Sequence, residues 1–109
     1  MTIDVKTLAR SLVDAAHGLA GESWSDVRAI AEMELHKLAQ SAADIERLVR
    51  ARHIDDKHAR MLFEIYRTAA NTALLSVESV TAALVEEVMN AAIGVIGKAI
   101  TRSLGIALF

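Results

Sequence analysis

Arg52-His53-Ile54-Asp55-Asp56 decides how this chain reads as a fold. Upstream, Trp24, Val27, Ala31, Leu35, Leu38, Ala42, Ile45 and Val49 recur at alternating three- and four-residue spacing. That is the period of a helix that buries one face. Downstream there is no proline, and glycine does not return until Gly94, so no residue type forbids a long helix. Asp55 suits the cap position of that helix, and Ile54 before it suits a hydrophobic staple. So short a connection joins the two helices as an antiparallel hairpin.

The spacing predicts helices over about residues 24–52 and 56–103, with lengths of about 42 Å and 70 Å at 1.5 Å per residue. From near residue 84 onward the longer helix then lacks a hairpin partner. A preceding helix over about residues 3–20 carries Val5, Leu8, Leu12, Ala15 and Leu19 on one stripe, and Gly18 and Gly21 make a stop. Ser23 and Asp26 resemble a capping box at the start of the next helix. The sequence therefore reads as an all-α protein, a single domain over residues 1–109. It has three helices, with a helix 2/helix 3 hairpin and a very long C-terminal helix, completed by oligomerisation.

Three arrangements can cover the overhang. The first helix, about 27 Å long, can extend over it. Another subunit can cover it, or the helix can break at Gly94 or Gly97, where propensity falls. The stripe Ile93, Ile96, Ile100 and Leu104 is the candidate self-association seam, and Leu108 and Phe109 add apolar area beyond it. Gly94 and Gly97 are small enough for a close helix approach.

Composition points the same way. Hydrophobic residues make up 53% of the chain and aromatics only 4%. Residues 1–68 hold 21 charged side chains and residues 69–109 hold five, so the C-terminal part reads as a helix buried nearly all round. A net charge of −2 does not supply the positive field of a nucleic-acid binder. The absence of cysteine excludes disulfides and thiolate chemistry. Asp4, Lys6, Arg10 and Asp14 interrupt any secretory apolar region, and the expected location is cytoplasmic. Glu78, Glu86, Glu87, Lys98 and Arg102 divide the last part into runs too short to span a membrane.

Candidate chemistry centres on Glu32 and His36, four residues apart and hence on one helix face. A hairpin turning near residue 55 sets Glu32 opposite Glu78, and Glu46 opposite Glu64. Glu78 stands alone in an apolar stretch, where a buried charge needs a partner. Carboxylates and histidines projecting into a bundle resemble the sites of ferritin-like di-iron proteins, which implies iron or another divalent metal at Glu32, His36 and Glu78. The family's Glu-x-x-His motif is missing; Glu32 and His36 have one residue too many between them.

No nucleophile elbow surrounds a serine and no glycine-rich phosphate loop occurs. The expected function is thus non-enzymatic self-association in a structural, scaffold or adaptor role, as a homo-oligomer or with a helical protein partner. A metal-binding oligomer is the alternative. A peripheral membrane-active protein, with Lys98 and Arg102 facing lipid, is the third class.

Overall fold

The computed structural model of the chain describes residues 2–105. Four α-helices follow in order: α1 (Val5–Ala20), α2 (Trp24–Arg50), α3 (Asp56–Leu75) and α4 (Ala82–Leu104). No strand occurs among the described residues. α1, α2 and α4 each pack against the other two, and α3 lies outside them against α2 and α4.

Local chemistry explains most of the helix ends. Asp4 caps α1 by accepting from the Thr7 backbone N–H at 3.1 Å. Gly21, at φ 53°, ends α1, with its N–H donating to the His17 carbonyl. A single 3₁₀ turn, Gly21–Ser23, then runs directly into α2. Ser23 is therefore itself in helical conformation and makes no side-chain cap bond, so the expected capping box is absent. His17 instead stacks on Trp24 across this turn, with ring centroids 4.8 Å apart.

α2 ends in a Schellman motif. The His53 N–H reaches the Leu48 carbonyl at 2.9 Å, and the Arg52 N–H reaches Val49 at 3.0 Å. Arg52 takes the left-handed conformation (φ 61°) that glycine normally supplies there. Asp55 caps α3 as expected, accepting from the His58 N–H at 2.9 Å. Half-buried Ile54 packs beside it against the core.

The expected continuous helix over 56–103 is broken between Leu75 and Ala82. The molecule measures only 42 Å along its longest axis, far short of that helix. No proline or glycine makes the break. Ser76 Oγ donates to the Ala73 carbonyl at 2.6 Å, and the Ser76 and Val77 N–H groups fold back onto the carbonyls three residues earlier. Such local bonds compete with the helical ladder. Thr81 then starts a new helix, its hydroxyl accepting from the Leu84 N–H at 3.1 Å. Val80 and Val85 occupy the flanking positions of a hydrophobic staple. α4 runs unbroken through Gly94 and Gly97. Gly94 is exposed, and a methyl group there would meet nothing within 4 Å, so it serves no close approach.

The break lets α4 turn back onto α1. Among the described residues Leu12, Leu35, Leu38, Ile45, Phe63, Met89, Ile96 and Ile100 are the largest fully buried side chains, and they draw on all four helices. Among the described residues no helix is long and apolar enough to cross a membrane.

Asp55 carries the one pH effect that the geometry makes clear. Its carboxyl is held below the ordinary aspartate value by the His58 backbone N–H it accepts and then by the His58 side chain, whose Nδ1 lies 2.7 Å away. The stability it contributes is therefore complete above the ordinary value of 3.8 and is lost as pH falls through the lower folded-state value. Asp55→Ala is expected to lower Tm at neutral pH. The gap between variant and parent should shrink below the ordinary carboxyl range, as followed by circular dichroism.

Candidate functional site

The residues expected to hold a metal are not assembled. Glu32 is exposed on α2 and pairs with Arg28 Nε at 3.0 Å. His36 is exposed one turn further on. Glu78 falls in the link between α3 and α4, also exposed, because the helix that would have carried it past Glu32 has ended at Leu75. Among the described residues no group of three or more His, Cys, Asp or Glu side chains could hold a metal ion. Glu64 likewise does not meet Glu46; it is exposed and pairs with Arg67 at 3.2 Å.

Glu46 proves to be the most integrated polar side chain, and its partners lie far away in sequence. It is 4% exposed. Its two oxygens accept from the Ile3 backbone N–H at 3.1 and 3.0 Å, and the Ser103 hydroxyl donates to it. Arg50, one turn along α2, donates to Ser103 Oγ at 2.7 Å and lies 3.6 Å from the carboxylate. Three segments thus converge on one buried carboxylate: the residues before α1, the end of α2 and the last turn of α4. The only hint in the sequence is an acid beside Ile45 on the apolar stripe of α2.

The expected association seam on α4 is largely used up within the chain. Ile96 and Ile100 are fully buried, and Ile93 and Leu104 are half-buried against the same core. The reason is geometric: with α3 and α4 separated, α4 packs along α1, the arrangement in which the first helix covers the overhang. Leu108 and Phe109 lie outside the described residues.

Exposed apolar surface appears instead on α3. That helix buries Ala59, Phe63, Ala70 and Leu74 on one side. Met61, Ile65, Thr68, Ala69, Thr72 and Leu75 recur at helical spacing on another side, and all six are exposed. Met61, Ile65 and Leu75 remain 58%, 64% and 46% exposed, the largest such cluster on one helix face. No charged residue occurs from Thr68 through Val77, so the C-terminal half of this face offers water only small or apolar groups. Neither family models nor curated proteins nor solved structures give a match to this chain.

Proposed function

We propose that the chain is a non-enzymatic helical module that works by association, through the outer face of α3. The observation that carries this reading is the exposure of Met61, Ile65 and Leu75 in one stripe on a helix whose other side is docked. Scattered exposed apolar residues need no explanation, but a contiguous row on one face marks a contact surface.

A second copy of the chain fits the face. In an antiparallel pairing centred on Thr68, Met61 of each copy meets Leu75 of the other, with small Thr68 and Ala69 at the crossing. From Met61 to Leu75 the stripe is about 21 Å long. That is small beside the roughly 800 Å² per partner of a stable interface, so association is expected to be weak and concentration-dependent.

Sedimentation of the purified chain over a wide concentration range tests this. The expected result is a monomer–dimer equilibrium that Ile65→Lys abolishes while far-UV circular dichroism and melting stay unchanged, since Ile65 is exposed and needed for no core contact. A parent chain that stays monomeric up to submillimolar concentration would sink the reading. Association that survives Ile65→Lys but is lost in Ile93→Lys would move the interface to α4.

A further inference from the structure

We infer that the groove between the start of α1 and the last turns of α4 binds a single-chain anionic amphiphile of the fatty-acid class. The groove has a volume of about 450 Å³. This lies within the roughly 300–1,000 Å³ of small-molecule sites. Its walls are mainly apolar, with Ile3 and Leu8 on one side and Val95 and Ala99 on the other. Lys98 and Arg102, one turn apart on α4, stand at the same groove.

Charge complementarity selects the occupant. Among the described residues neither Lys98 nor Arg102 has an ion-pair partner, and of the cations without one these two line the groove. The one acid that lines the groove, Asp4, is engaged by the Thr7 backbone N–H as the cap of α1. An apolar trough beside two cations matches a hydrocarbon chain that ends in a carboxylate. The chain would lie along Leu8, Val95 and Ala99, and the carboxylate would sit between Lys98 and Arg102, where an arginine fork accepts it in bidentate fashion. The groove contains no residue of α3, so this inference stands or falls separately from association through that helix.

Isothermal titration of the full chain with dodecanoate, kept below its micellar concentration, tests it. One-to-one binding is expected. The double variant Lys98→Gln/Arg102→Gln should weaken it at least tenfold, because both charges leave while the apolar walls stay. Ala99→Trp should abolish it by filling the trough, with the circular dichroism spectrum as the check that the variant is folded. Absence of dodecanoate binding overturns the inference. So does equal affinity for dodecyltrimethylammonium, which would show that the cations play no part. Binding confined to anionic phosphatidylglycerol vesicles would point to a membrane surface and overturn it as well. Binding by a chain shortened after Gly105 but not by the full chain would assign the groove to residues 106–109 instead.

Discussion

Phe63→Ala is expected to lower the unfolding free energy by about 3–5 kcal/mol, the range for truncating a fully buried aromatic side chain. Phe63 is the largest fully buried side chain among the described residues and sits in the middle of α3. The other residues that α3 buries are Ala59, Ala70 and Leu74, two of them alanines with little area to lose. Phe63 is therefore the largest single apolar anchor holding α3 to the other helices, beside Leu74 and half-buried Leu62. Urea denaturation should show the midpoint shift. Hydrogen exchange should show more: protection should fall furthest in α3, because α1, α2 and α4 still pack on one another without it. Tyr66→Ala, at a side chain already 36% exposed, should cost much less. A Phe63→Ala loss below about 1 kcal/mol would mean that the site collapses to fill the cavity and that Phe63 is not the anchor.

Glu46→Ala is expected to cost about 2–4 kcal/mol, since bonds to a charged group contribute about 1.5–3 kcal/mol each and water partly replaces them. The loss removes the acceptor for the Ile3 N–H and for the Ser103 hydroxyl together, and leaves Arg50 without its nearby carboxylate. Glu46→Gln should cost less, because one oxygen remains, but its amide N–H₂ would face the donating Ile3 N–H. Ser103→Ala tests the coupling. The double variant with Glu46→Ala should fall short of additivity by about 0.5–3 kcal/mol, as expected for partners in one network. Because the carboxylate is buried, added salt should leave its contribution largely intact, unlike that of the exposed Arg28–Glu32 pair. An unchanged urea midpoint in Glu46→Ala would show that the node adds no stability.

Features written in neighbouring residues were legible in the sequence. The stripe of α2, the stop at Gly21 and the Asp55 cap each depend on contacts within a few positions, whereas α1 keeps Leu8 and Leu12 of its expected stripe but buries Ala9, Ala16 and Ala20 and leaves Leu19 exposed. The break after Leu75 was harder to see, because it rests on serine and threonine hydroxyls rather than on proline or glycine. Ser76 and Thr81 were its only marks, inside an apolar run that otherwise continues a helix. Without that break a single helix would set Glu32 opposite Glu78, a register that the separated α3 and α4 do not have. The covering of α4 was illegible for a different reason. Apolar periodicity says that Ile96 and Ile100 must be buried, but not whether the chain's own α1 or another molecule buries them. Glu46 illustrates the same limit, with Ile3 and Ser103 standing 43 and 57 residues away.

The packing of α4 against α1 also orders events during synthesis on the ribosome. α1 and α2 emerge first and can pair, but one side of α1, including residues that end in the core, waits for residues 82–104. Until then, a half-finished chain shows water a strip of leucine and alanine that the finished one hides. Apolar surface uncovered during growth is where nascent chains stick to one another or to chaperones. α4 is thus the helix that closes this fold. A chain stalled before residue 82 should bind markedly more of a hydrophobic dye than one that extends past residue 105.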